Sequence, residues 1–370
     1  MAAIEFVRRA WCKLAPKEEK VPNVKPRFSR RDLMIGSAAL AGSLAMRGAD
    51  LPVVPPQPGE DFGGYQQRRR RELWNLLGDL PWNHQPAPPR LVRTEKHEGY
   101  TLERWELDLN GLEPVPAILL IPDRRQPSAP GLLFIHWHAG QYDLGKEQLL
   151  RGTEVQPPYA AVCAEKGLVT LAIDSWCFGE RKHEADGHQG EEDAFKLMLW
   201  QGRVLFGMMI FDELQALSYL ASRPEVDPRR LGVFGMSMGA TKTWWLAALD
   251  PRVHTAIDVC CLTDFDSLIA AHGLHLHSIF YYVPSLLKYF SSAQINELTV
   301  PRAHLSVNGR KDPLTPPDGV EKIRDALLPL YRRYGNEEDC HIELFDCAHQ
   351  ELPEMRAQIL SWMDRHLVAG

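Results

Sequence analysis

The chain has 370 residues, 45% hydrophobic and 24% charged, the balance of a globular protein rather than a disordered or fibrous one. Its net charge of −6 gives no electrostatic footing for nucleic acid. No run of about 18 strongly apolar residues is present to span a membrane, and the length suits one large α/β domain or two small ones.

The N-terminus differs in character from the rest. Residues 28–34 read "FSRRDLM" and are followed by "IGSAALAGSLAM". A Ser-Arg-Arg-x-Leu run before a short apolar segment of small residues resembles a twin-arginine export signal, an address read by a receptor. The expectation is a signal over 1–45, cut after Ala45, with a periplasmic or secreted product. The alternative is a basic tail that happens to hold Arg30 and Arg31, leaving the protein in the cytoplasm. Residues 1–45 carry nine Lys/Arg against four Asp/Glu, so the chain without them has a net charge of −11. Residues 46–100 are expected to form an extension packing on a catalytic domain over 101–370.

In that domain "TLERWELDL" (101–109) alternates like a half-buried strand. "VPAILLIP" (115–122) and "GLLFIHWH" (131–138) are strands bounded by Pro and Gly, and 157–166 forms a helix. "LVTLAID" (168–174) is the continuous apolar run of a parallel strand buried on both faces. Residues 195–222 read as helix, "RLGVFGM" as strand, "MGATKTWWLAAL" as helix and "VHTAIDVCC" as strand. An irregular insertion, 263–298, comes next. Then follow "RAHLSVNG" (strand), 318–334 (helix), "CHIELFD" (strand) and 354–368 (helix). Opening strands followed by alternating strands and helices predict an α/β fold, with a mostly parallel central sheet and helices on both faces. The seven cysteines include no C-x-x-C pair, and most sit in apolar text as small hydrophobes.

Within "GVFGMSMGATKTWW", Ser237 falls at a strand-to-helix junction between Gly235 and Gly239. In G-x-S-x-G the serine occupies a sharp turn that lifts its hydroxyl above the sheet, and the helix N-terminus behind it favours developing negative charge. Asp312 follows the next-to-last strand in "VNGRKDP", and His349 follows the last strand in "FDCAHQE". The order Ser…Asp…His, with "HWHAGQYDLGK", "DSWCFGER" and "SRPEVDPRRLGVFGMSMGATKTWWLAALDPRV", resembles the α/β-hydrolase superfamily over residues from about 70 to 368. The likeness is to its dienelactone-hydrolase-like and acetyl xylan esterase-like branch.

That resemblance implies an α/β-hydrolase fold in which Ser237 is the nucleophile, His349 the base and Asp312 its acid. It implies an oxyanion hole from the backbone amides of Met238 and His138, with Trp137 standing where glycine is usual in the latter loop. His136 is expected to support that loop by hydrogen bonding. Asp264 and Asp266, after the strand that follows the nucleophile, are rival acids, as in glucuronoyl esterase-like relatives. Otherwise they cap a helix over 266–271. Trp137, Arg181, His275, His277 and Tyr281 are candidate pocket residues, and Arg181 with Glu180 is an ion pair at the pocket or a structural one. His272, His275 and His277 lack the spacing of a metal site; neither metal nor cofactor is expected. The implied activity is hydrolysis of a short-acyl or carbohydrate ester by an acyl-enzyme route. A prolyl-oligopeptidase-like peptidase, a glucuronoyl-type esterase and a non-catalytic binding protein on the same fold are the alternatives. The expected partner is a small-molecule or carbohydrate ester.

Overall fold

The computed structural model describes residue 57 and residues 59–369; the export segment therefore lies outside the described residues. In chain order the principal elements are α1 (Phe62–Leu76), β1 (Arg90–His97), β2 (Tyr100–Leu107), β3 (Val115–Pro122), β4 (Ala129–Ile135), α2 (Ala160–Glu165), β5 (Val169–Ile173), α3 (Gly187–Trp200) and α4 (Leu205–Ser222). They continue with β6 (Val226–Met236), α5 (Met238–Leu249), β7 (Val253–Val259), α6 (Phe265–Ala270), β8 (Ala303–Gly309), α7 (Pro317–Tyr334), β9 (Cys340–Phe345) and α8 (Pro353–Met363). The nine strands form one sheet in the order β1-β2-β3-β5-β4-β6-β7-β8-β9. The first three pairings are antiparallel and the remaining five parallel.

The parallel strands β4 and β5 are largely apolar runs because helices cover both faces. β4 is buried at every position, and its alternating side chains go to opposite sides. Leu132 and Phe134 pack with Cys163 of α2 and Ile359 of α8. Leu133 and Ile135 pack with Leu217 of α4 and Leu246 of α5. The expected mostly parallel sheet with helices on both faces is the observed one. No helix among the described residues is long and apolar enough to cross a membrane.

Two elements carry no clear pattern in the sequence. β1 is almost wholly exposed, so "RLVRTEKH" shows no apolar alternation; its pairing to β2 follows from the hairpin at Gly99, whose φ is +83°. The sheet thus begins at Arg90, within the segment read as an extension. Helix α1 has two glycines in its first turn and contains four consecutive arginines. Asp61 caps it by accepting from the Gly64 amide at 2.7 Å. Its buried face includes Gln66, which donates to the Val300 carbonyl at 2.7 Å, and Arg69, which lies 3.8 Å from the centre of the Phe290 ring. The helix expected over 195–222 is two helices, α3 and α4, broken where Gly202 takes a φ of +75°.

Register sets up the site. Ile135 at the end of β4 lies opposite Gly235 of β6, Met236 opposite Val259, Val259 opposite Val307, and Gly309 opposite Phe345. The carboxyl ends of five strands therefore form one row, and the loops leaving them share one edge of the sheet. In open α/β sheets that edge is where ligands bind.

Candidate active site

Ser237 follows β6 directly and precedes α5, with φ 60° and ψ −119°. A residue with a β-carbon holds such a conformation only where its surroundings enforce it. A β-carbon on Gly239 would lie 2.1 Å from the Ile135 carbonyl oxygen, and one on Gly235 would lie 2.5 Å from Gly239 itself. The glycine spacing thus lets α5 start directly against the end of β4. The Ser237 amide donates to the Val259 and Cys260 carbonyls, both at 3.0 Å.

The other two residues come from the loops after β8 and β9. A β-carbon at Gly309 would lie 2.4 Å from the Ala348 carbonyl oxygen, and the Lys311 amide donates to the Cys347 carbonyl at 2.9 Å. This lacing brings His349 to Asp312: Nδ1 donates to Oδ2 at 2.6 Å. The other Asp312 oxygen accepts from the Leu314 amide at 3.0 Å. Asp312 is buried, and the outer ring nitrogen of His349, Nε2, has no hydrogen-bond partner among the described residues. Ser237, Met238 and His349 line one cavity of about 310 Å³, with Thr241, Leu276 and Phe280 among its walls. A wider depression of about 920 Å³ adjoins it, sharing His138, Gly140 and His277, and adding Arg151, Lys182 and His275.

The rival acids are elsewhere. Asp264 is the N-cap of α6, accepting from the Ser267 amide at 3.1 Å, and it pairs with Lys322 at 3.0 Å. Asp266 lies in the first turn of that helix and is 3.6 Å from Lys322. Only Asp312, of the three, is hydrogen-bonded to His349. Arg181 is a correction to the pocket reading. It is buried behind the site, where it pairs with Asp212 at 2.8 Å and with Glu113 at 2.6 Å, and stacks on Trp176. Glu180 pairs instead with Lys146 at 2.6 Å. Trp137 is likewise buried and absent from the walls of both cavities.

His277 does line the cavity. It donates from Nε2 to the Leu314 carbonyl at 3.0 Å, and burial pulls its pKa down to about 4, so the ring is neutral at pH 7. Tyr281 stands one layer back, stacked on His277 with ring centres 4.1 Å apart. His275 borders only the outer depression and bonds the His272 carbonyl. His136 is buried and supports its loop, as its pattern suggests: Nδ1 donates to the Trp137 carbonyl at 2.8 Å, and Nε2 accepts from the Ser175 amide at 3.0 Å. The thiol of Cys260 lies near Asp312 and His349, their ligand-type atoms within 4.8 Å of one another. The last two already serve each other, and burial pushes the Cys260 thiol well above its ordinary range, which disfavours the thiolate a metal would need.

Glu191, which the sequence does not single out, ties the cavity rim together. It is buried, on α3, and accepts from His138 Nε2 at 3.1 Å, from Tyr142 at 2.9 Å and from Ser278. Burial pushes its carboxyl up, but these three donors outweigh it and leave the pKa lowered. One carboxylate thus joins the loop after β4 to the 263–298 insertion.

The comparisons with known proteins agree with this architecture. The abhydrolase family matches residues 53–313. YtaP of Bacillus subtilis (strain 168), a protein named as a hydrolase, is 40% identical over 301 residues, which are 81% of this chain and 99% of YtaP. A glucuronoyl esterase from Solibacter usitatus superposes with a TM-score of 0.60 at 14% identity, over 86% of this chain and 99% of that one. An acetyl xylan esterase from Paenibacillus sp. R4 gives 0.55 at 18% identity, over 88% and 100%. The two structural likenesses speak for the fold. With the matched family covering most of the chain and a relative this similar along its whole length, the protein belongs to the abhydrolase family of α/β-hydrolases.

Proposed function

We propose that the protein is a serine hydrolase that cleaves short-acyl carboxylic esters, carbohydrate esters among them, through an acyl-enzyme. The observation that carries this reading is the pair of His349 and Asp312, with Nε2 of that histidine unpartnered among the described residues and His349 lining the same small cavity as Ser237. A serine hydroxyl is a weak nucleophile and needs a base within reach. In this reading His349 takes the Ser237 proton as the hydroxyl attacks the ester carbonyl, then returns it to the departing alcohol. Water repeats the cycle on the acyl-enzyme. Asp312 holds the imidazole tautomer and stabilises the imidazolium. The developing oxyanion is received by the amides of Met238 and His138, neither of which has a backbone acceptor among the described residues.

The shape of the site supports the substrate class. The cavity at Ser237 is closed by Leu276, Phe280 and Leu314, room for a compact acyl group. The wider depression next to it presents His275, Lys182, Arg151 and Tyr142, groups that suit a hydroxylated alcohol. The acetyl xylan esterase and glucuronoyl esterase likenesses are consistent with a sugar-borne ester. The engagement of Asp264 in capping favours Asp312 as acid over the alternative position.

Asp312→Asn should lower kcat for p-nitrophenyl acetate by about 10³–10⁴-fold by disturbing the tautomer. Asp264→Ala should instead cost about 1 kcal/mol of stability through the lost cap and leave kcat within about 3-fold. Steady-state kinetics with urea unfolding of both variants reads this; the reverse pattern would move the acid to the end of β7. Across a series of p-nitrophenyl esters, kcat/KM should be highest for acetyl and fall with chain length. Each added methylene offers about 0.8 kcal/mol only where an apolar channel receives it. A rise toward long chains would contradict the short-acyl reading, and aryl-acetate activity with none on sugar acetates would reject the carbohydrate part. Export rests on the Ser-Arg-Arg-x-Leu run around Arg30 and Arg31 and the short apolar segment after it. Fractionation of the source cell should find the protein outside the cytoplasm, and a wholly cytoplasmic protein would end that reading.

A further inference from the structure

Lys242 and Glu213 are an ion pair taken wholly out of water. The lysine, one turn into α5 beyond Ser237, is 0% exposed and the glutamate, on α4, 1% exposed; Nζ and Oε1 are 2.7 Å apart. Neither borders the cavity. Burying two charges is expensive, and such a pair is weak evidence for stability, since apolar residues of similar volume often serve as well or better. What the pair touches next suggests another use.

Lys242 Nζ also donates to the Ser175 hydroxyl, in the loop just after β5. The Ser175 amide donates to His136 Nε2 at 3.0 Å, which leaves the proton on Nδ1, and Nδ1 donates to the Trp137 carbonyl at 2.8 Å. That carbonyl belongs to the same peptide group as the His138 amide. In a trans peptide the C=O and N–H point in opposite directions, so a carbonyl turned to the His136 ring turns the His138 N–H away from it. A second chain holds the other side of Trp137. Its amide donates to Gln148 Oε1 at 2.7 Å, Gln148 donates to Gln156 at 2.7 Å, and Gln156 donates to Glu351 at 3.0 Å, close after His349 in the chain. The loop after β4 is thus strung between the helix behind Ser237 and the loop that carries His349.

We propose that Lys242, anchored by Glu213, is a positioning residue that acts through Ser175 and His136 to hold the Trp137–His138 peptide with its N–H as an oxyanion donor. The inference rests on the serine-hydrolase reading and adds to it a source of preorganisation. Burial lowers the Lys242 pKa and raises that of Glu213, while each opposes the shift of the other. Burial and the Lys242 cation together keep His136 neutral, the state in which it can accept at Nε2 while donating from Nδ1.

The test uses the full chain and two variants. Lys242→Met combined with Glu213→Leu removes both charges and leaves no lone ion behind. Ser175→Ala removes only the hydroxyl that links the pair to the loop, and carries the test if the double variant fails to fold. A misplaced donor costs on the order of 10²-fold in rate. The double variant should therefore lose about 10²-fold in kcat with KM within about 3-fold, and bind a boronic acid, which forms a tetrahedral serine adduct, more weakly by a similar factor. Ser175→Ala should lose about 10-fold in both readouts. Both should keep the wild-type thermal midpoint within a few degrees and still be labelled by a fluorophosphonate. Wild-type kcat and boronic acid affinity in the folded variants would overturn the positioning role while leaving the hydrolase reading intact. An inactive, unlabelled wild-type protein would remove both.

Discussion

The conformation of Ser237 is the constraint on which the rest of the structure depends. Positive φ at a residue with a side chain costs roughly 1–3 kcal/mol, and the protein must supply that from elsewhere. It does so with the helix that follows. Every residue of α5 is buried, including Trp244 and Trp245, and burying each large apolar side chain is worth about 1.5–3 kcal/mol. The helix can collect that packing only if it begins hard against the end of β4. The 2.1 Å between a would-be Gly239 β-carbon and the Ile135 carbonyl measures how tightly it does.

From that fixed point the site is assembled by loops leaving a single edge of the sheet. Their backbones are not free to drift, because buried polar groups lace them. Asn308 accepts from the Cys261 and Leu262 amides at 3.3 and 3.2 Å. Ser306 and His304 bond Asp258 across β7 and β8. Glu351, Gln156 and Gln148 join the His349 loop to the loop after β4. Each such group would be costly to leave unpaired, so these networks favour one arrangement of the loops over nearby alternatives. The 263–298 insertion closes over the site with short turns rather than long helices, and Glu191 is one of its fastenings.

Sequence showed some of this and hid the rest for physical reasons. β3 was legible to its ends, since an apolar run bounded by Pro has few other ways to fold, and Ser237, Asp312 and His349 stood out because their order along the chain matches the order of the strand ends. β1 and α1 were not legible. The first lies exposed at the sheet's edge, and the second buries a glutamine and an arginine where an amphipathic pattern would put leucines. Arg181 falls in the expected loop but points to its other side. Its position follows from chain order, whereas the direction of its side chain is set by Asp212, distant in sequence. Glu191 and Lys242 give no signal at all: Glu191 adjoins Glu192, and only tertiary packing makes the first buried and leaves the second half-exposed. Trp137, an aromatic beside a candidate site, reads as pocket, but its ring is buried away from both cavities and its amide and carbonyl are held by Gln148 and His136.

The central claim is that Ser237 is the nucleophile of an ester hydrolase. The most direct measurement is peptide mass spectrometry of the full chain after reaction with a fluorophosphonate, run beside ester turnover. The account predicts one adduct, on Ser237, formed in step with loss of turnover, and neither adduct nor turnover in Ser237→Ala. Turnover that persists in Ser237→Ala, or an inactivating adduct on another residue, would contradict it.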